Sequence, residues 1–156
     1  MKKVALIFLL LVQVAFSEEP DALANFKSQL EEAIRTKSTE GIAALTYSKG
    51  ASRYQLDVAV FKYELNWDGN TLLDVTFADF DDPTYRTLVE PDRVVMNGTA
   101  YVRNLKPNKL CLVFWKNKTD NKITFVSPIG IAPDGSYKFI LQMRAPEAQP
   151  AGPPNP

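Results

Sequence analysis

The hydrophobic pattern of the chain changes at Asn70, and this change constrains the fold more than any other feature. Between Asp21 and Trp67 the apolar residues recur at helical spacing. From Thr71 onward they alternate with polar residues, as in strands with one buried face. Helices followed by hairpin-connected strands are typical of α+β domains. We therefore expect about three N-terminal helices packed on a curved antiparallel sheet of five to six strands.

The first half of the chain predicts three helices. An amphipathic pattern covers Asp21 to Arg35, and Ser38 can cap a shorter helix, so residues 21–48 form a helical hairpin. Ser52 followed by Gln55 matches a capping box that begins a third helix. Because this third helix is apolar on two sides, we expect it to be sandwiched between the sheet and other helices. Its two neighbouring stripes are Tyr54, Val58, Phe61 and Leu65, and Leu56, Val60, Tyr63 and Trp67.

The second half of the chain predicts the strands. Thr71 to Phe80 alternates so that Leu73, Val75 and Phe77 share the buried face. Asn97-Gly98 is a strong hairpin signal between two short apolar segments. Further strands are predicted at Leu110 to Trp115, Ile123 to Val126 and, after the turn at Pro133-Asp134-Gly135, Tyr137 to Met143.

The N-terminus has the features of a cleavable signal peptide over Met1 to Ser17. Two lysines precede an apolar run that is too short to span a bilayer, which needs roughly 20 residues. Ala15-Phe16-Ser17 supplies small residues for cleavage before Glu18. The sequence therefore predicts export to the periplasm or the exterior, with no membrane anchor left after cleavage.

One α+β domain, residues 18–144, is expected after the signal peptide. A tail from Ala145 to Pro156 holds five prolines and is predicted to be disordered or polyproline-like. With a single cysteine the chain cannot form an intrachain disulfide, so packing must stabilise the domain.

The composition excludes several kinds of chemistry. The chain has no histidine, which removes the commonest general base and the usual zinc ligand. Cys111 lies within an apolar strand and is interpreted as a buried structural thiol. The 18 basic and 18 acidic residues balance, and no basic cluster indicates nucleic acid. We assign no catalytic residue, no cofactor and no metal ligand.

Acidic residues offer two weaker alternatives. Asp79, Asp81 and Asp82 could hold a hard cation, but Pro83 makes an ordinary turn the simpler interpretation. A glycosidase pair could be drawn from Glu64, Asp68, Asp74 or Asp79, although sequence does not define the separation which that mechanism needs.

Five aromatic residues are the candidates for a ligand pocket. The alternative is that they pack against one another across the strands, as aromatic side chains often do. The candidates are Trp67, Tyr85, Tyr101, Trp115 and Tyr137.

The segment Leu30-Glu31-Glu32-Ala33-Ile34, followed by Lys37-Ser38 and Ile42-Ala43-Ala44-Leu45, resembles the opening of the cone-shaped fold of ketosteroid isomerases and nuclear transport factors. The resemblance implies three helices against a curved antiparallel sheet. The later segments are similar to those of uncharacterised exported bacterial proteins, which implies no activity. They are Asn97-Gly98, Asn104-Leu105, Leu110-Cys111-Leu112-Val113, Pro128-Ile129-Gly130 and Asp134-Gly135-Ser136-Tyr137.

Three functions remain open from the sequence. The first is an exported, non-enzymatic binding or interaction domain for a small apolar ligand or an envelope protein. The second is an isomerase or cyclase with a cone-shaped pocket, which needs a carboxyl group whose pKa burial has raised. The third is a structural envelope component recruited through the proline-rich tail.

Overall fold

A computed structural model of the protein describes residues 18–119 and 122–145. It confirms an α+β fold in which the helices precede most of the strands. The helices are α1 (Glu18–Arg35), α2 (Thr39–Ala44), α3 (Arg53–Trp67) and the short α4 (Pro83–Arg86). The strands are β1 (Asn70–Asp79), β2 (Arg93–Met96), β3 (Thr99–Arg103), β4 (Lys109–Asn117), β5 (Lys122–Ile131), β6 (Tyr137–Phe139) and β7 (Gln142–Arg144).

Local sequence signals set the helix boundaries. The Ser38 hydroxyl accepts a hydrogen bond from the Gly41 amide at 2.9 Å and caps α2. The expected capping box begins α3, with Ser52 and Gln55 bonded reciprocally. Asp82 caps α4, so the acidic segment before Pro83 begins a helix rather than a simple turn between strands.

The strands form two antiparallel sheets instead of one. The main sheet has the order β1-β4-β5-β6, and the small sheet has the order β2-β3-β7. The β2-β3 hairpin turns at Asn97 and Gly98, whose φ angles of 50° and 76° fit the predicted two-residue turn. The strand expected from Tyr137 to Met143 is interrupted, because the chain leaves the main sheet after Phe139 and enters the small sheet at Gln142.

A β-bulge in β1 overturns one predicted orientation. The register of β1 against β4 shifts between Leu72 and Asp74. One extra residue reverses the alternation, so Leu72 packs against the core while Leu73 is 45% exposed. Val75 and Phe77, beyond the bulge, face the core as predicted.

The core lies between α1 and one face of the main sheet, and aromatic rings fill it. The Phe26 ring on α1 lies 5.1 Å from Phe139, 6.1 Å from Phe77 and 6.5 Å from Tyr137, centroid to centroid. Such tilted and edge-on pairs suit the quadrupoles of the rings. Trp115 is also fully buried there.

Helix α3 buries only one of its two apolar stripes, which corrects the expectation that it is sandwiched. Val60 and Tyr63 are 7% exposed and belong to the core. The two stripes are offset by two residues, or about 200° around a helix, so they lie on opposite sides. The other stripe faces outward: Tyr54, Val58, Phe61 and Leu65 are 76%, 41%, 53% and 64% exposed.

Two predicted segments lie outside the described residues, namely the signal peptide, residues 1–17, and the tail from residue 146 onward. Among the described helices, none is both long and apolar enough to cross a membrane.

Candidate functional site

A groove of about 740 Å³ lies along the N-terminal half of β1. One wall is the C-terminal half of α1, from Ser28 to Arg35, with Lys37 just beyond the helix, and the other is the segment from Asn70 to Asp74. Trp67, at the end of α3, and Trp115, on β4, complete the lining. We call this feature the α1–β1 groove. Its volume is in the range of small-molecule sites.

Both tryptophans in the chain contribute to this groove, and both carry an unused donor. The indole nitrogens of Trp67 and Trp115 are buried and have no hydrogen-bond partner within the described residues. A buried donor without an acceptor costs about 1–3 kcal/mol. An acceptor that enters the groove and reaches these N–H groups would remove that cost. Because neighbouring side chains cover both nitrogens, the lining must shift slightly to admit it.

The charges around the groove are paired with one another. Lys37 donates a hydrogen bond to Asp68 at 2.6 Å, and the Lys37 ammonium holds the pKa of that carboxyl below its usual range. Arg35 pairs with Glu32 one turn earlier on α1. Since positive and negative side chains are paired along the rim, the electrostatic potential in the groove is neither strongly positive nor strongly negative. This arrangement suits a neutral or zwitterionic ligand.

The Lys27–Asp74 ion pair divides the space between α1 and β1. The ammonium nitrogen lies 3.0 Å from the carboxylate, and this contact lowers the pKa of Asp74. Beyond it lies a second, smaller depression of about 450 Å³, lined by Leu23 and Tyr85 among others. No buried side-chain donor in its lining lacks a partner among the described residues. The α1–β1 groove is therefore the stronger candidate site.

The structure separates the five candidate aromatics. Trp67 and Trp115 share the α1–β1 groove, whereas Tyr85 lines the smaller depression. Tyr137 is 1% exposed and packs in the core against Phe26. Tyr101 lies in β3 of the small sheet, opposite Val94 and Arg144, and lines neither cavity.

No acidic residue is buried among those whose burial the structure describes. The carboxylates along the groove, Glu31, Glu32 and Asp74, are all at least partly exposed, and Lys27 lowers the pKa of Asp74. A base of the isomerase kind needs the opposite shift. Within residues 18–119 and 122–145 there is also no group of three acidic or cysteine side chains suited to a metal ion.

Comparisons with protein-family models, with curated proteins and with solved structures find no match to this chain. The candidate site is therefore defined by its geometry alone.

Several lining residues of the groove carry no sequence signal of a site. Ser28, Asn70 and Thr71 are ordinary polar residues at a helix surface and a strand start. They converge only because α1 crosses β1, which brings Lys27 next to Asp74, 47 positions away. The sequence nominates both Trp67 and Trp115 as pocket residues. It does not predict that the two side chains line the same groove.

Proposed function

We propose that this chain is an exported binding domain that holds a small neutral or zwitterionic ligand in the α1–β1 groove. The observation that carries the proposal is that two tryptophans line one groove and that the indole N–H group of each is buried with no partner among the described residues. Few buried donors in native proteins remain unpaired, and a bound acceptor is one physical reason for such an exception. The ligand should combine an apolar or aromatic body, to cover the half-buried Leu72 and Trp67, with at least one carbonyl or similar acceptor.

Two features of the protein support binding over catalysis. Its carboxylates are exposed, and the one with a shifted pKa, Asp74, is held in the charged form by Lys27. The buried thiol of Cys111 has its pKa raised by burial, so it is not available as a thiolate nucleophile.

A thermal-shift screen tests the binding half of the proposal. Aromatic amides, amino-acid derivatives, sterol-like ketones and cell-wall fragments are added to the purified protein. A ligand present at 100 times its dissociation constant stabilises the folded state by about 2.7 kcal/mol, which visibly raises the Tm. The matched variants are Trp67→Phe, which removes one indole N–H, and Tyr101→Phe, which lies outside the groove. The proposal requires a shift that Trp67→Phe weakens and Tyr101→Phe retains; no shift with any compound contradicts it.

The export half has its own test. When the full chain is expressed in a bacterial host, the intact mass of the product outside the cytoplasm should correspond to a chain beginning at Glu18. A product in the cytoplasm that retains Met1 to Ser17 would overturn export without affecting the groove.

A further inference from the structure

We infer that the outward stripe of α3 is a dimer interface that pairs with the same stripe of a second copy in parallel orientation. We call it the α3 seam and define it as Tyr54, Val58, Phe61 and Leu65. Each of these side chains is at least 41% exposed. The inference is independent of the ligand proposed for the α1–β1 groove, because the seam and the groove share no residue.

The spacing of the seam is that of a coiled-coil stripe. Successive members are separated by four, three and four residues, which places Val58 and Leu65 at a positions and Tyr54 and Phe61 at d positions. A stripe limited to a and d positions is the narrow seam through which one helix packs against another. Val58 is a β-branched residue at an a position, as in two-stranded assemblies, whereas the d positions hold Tyr54 and Phe61 in place of the usual Leu.

The opposite side of α3 is already occupied by the protein's own core. Val60 and Tyr63 anchor that side, and the Tyr63 and Phe139 rings lie 5.5 Å apart. Core packing therefore fixes the position of α3, and the α3 seam lies on the opposite, solvent-exposed side of the helix. Two copies can bring their seams together without their cores approaching each other.

The charges beside the seam determine the orientation. Asp57 lies at a g position on one flank, and Lys62 lies at an e position on the other. In a parallel pair, Asp57 of each copy faces Lys62 of the other copy, because a g position faces the e position that follows it by five residues. The dimer then contains two symmetric ion pairs. In an antiparallel pair, Asp57 would instead face Glu64, and the like charges would repel. Lys62 forms no ion pair within the described residues, and the Arg53–Asp57 contact is long, at 4.0 Å.

The area fits a weak but specific dimer. The exposed parts of four large side chains amount to roughly 500 Å² per copy, or about 1,000 Å² in total, which is near the lower limit for specific interfaces. We therefore expect dissociation in the micromolar range. A patch of roughly 500 Å² is in the range of the largest apolar patch on a typical monomer, and such patches are often functional.

Sedimentation equilibrium of the full chain from 1 to 200 µM tests the inference. The protein should form dimers as concentration rises, and Phe61→Ser should weaken dimerisation at least tenfold. Leu88→Ser is the matched control, because Leu88 is 63% exposed but is not part of α3. Since Phe61 and Leu88 are both at the surface, both variants should fold, which circular dichroism verifies. A monomer at every concentration, or a dimer that Phe61→Ser leaves intact, would overturn the interface.

Charge variants test the orientation. Asp57→Lys should weaken a parallel dimer, and adding Lys62→Asp should restore it because the pairs are re-formed with reversed sign. If Asp57→Lys instead strengthens the dimer, the helices are antiparallel and this part of the inference is wrong. If the wild type is monomeric but a chain truncated after Ala145 dimerises through Phe61, the proline-rich tail covers the seam and the inference of a second copy is overturned.

Discussion

The ammonium nitrogen of Lys27 lies 3.0 Å from a carboxylate oxygen of Asp74, and this contact joins the middle of α1 to β1. Asp74 also accepts a hydrogen bond from the Val75 amide at 2.8 Å, directly after the bulge at Leu73. The pair therefore links the helix to the bulged part of an edge strand. It also forms the boundary between the α1–β1 groove and the smaller depression beyond it.

This contact predicts a dependence of stability on acid pH. The hydrogen bond from Lys27 lowers the pKa of Asp74 in the folded protein. The contribution to stability is therefore complete above the pKa of the unfolded chain, about 3.9, and is lost as the pH falls through the lower folded pKa. Asp74→Asn should make the acid side of the stability profile less steep, as measured by urea unfolding between pH 2 and 7.

Asp81→Asn is the matched control, because Asp81 is an exposed carboxylate in the loop before α4. It should leave the acid side of the profile unchanged. If Asp74→Asn leaves the acid-side slope of the unfolding free energy against pH unchanged, the Lys27–Asp74 pair does not contribute to stability.

Cys111 should be unreactive in the folded protein. Its side chain is fully buried in β4, and burial raises the pKa of the thiol well above its ordinary range. Thiol reagents act on the accessible thiolate, so labelling must wait for unfolding. Ellman's reagent at pH 8 should react within minutes in 6 M guanidinium chloride and negligibly in buffer. Rapid labelling in buffer would contradict the burial of β4.

Gly130 in β5 should tolerate no side chain. A Cβ atom there would lie 2.3 Å from the backbone oxygen of Lys106, and backbone cannot move aside as a flexible side chain can. Gly130→Ala should destabilise the protein by about 3 kcal/mol or more, the upper end of what overpacking costs, because the clash is with backbone. Urea unfolding measures the change.

Gly98→Ala provides the comparison for Gly130. Gly98 has open space around it but a φ of +76°, so only backbone strain of about 1–2 kcal/mol is expected. An equal or smaller loss at Gly130 would mean that the loop at Lys106 is not packed closely on β5.

The contribution of the α3 capping box to stability should be measurable with a single substitution. Ser52→Ala removes the hydroxyl that accepts the Gln55 amide hydrogen bond, and the loss of such a cap costs about 1 kcal/mol. Ser48→Ala, four residues earlier on an exposed turn, should change stability by less than about 0.5 kcal/mol. Equal values for the two variants would show that the cap does not stabilise α3.

The helices and the hairpin could be predicted from sequence because their signals are local. Ser38, the Ser52–Gln55 box and Asn97-Gly98 act over a few residues, and each produces the expected structure. The bulge at Leu73 has no such signal, since one extra residue leaves the apolar composition of β1 unchanged. The break between β6 and β7 also lacks a signal, because Tyr137 to Met143 alternates without interruption.

Tertiary packing, rather than local pattern, decides which apolar surfaces are covered. Both stripes of α3 have the same spacing, and only the contacts with Phe139 and the main sheet select the one containing Val60 and Tyr63. The groove likewise depends on α1 lying beside β1. The sequence nominates Trp67 and Trp115 as candidates. They line the same groove because elements far apart in the chain pack side by side.

The most direct test of the proposed function observes the two indole N–H groups themselves. Because the chain holds only two tryptophans, a proton–nitrogen correlation spectrum shows two indole signals, and Trp67→Phe assigns them. On titration with a compound that raises the Tm, both signals should move downfield as the donors gain an acceptor. If a compound binds while both indole signals stay unchanged, the α1–β1 groove is not the site and the proposal is contradicted.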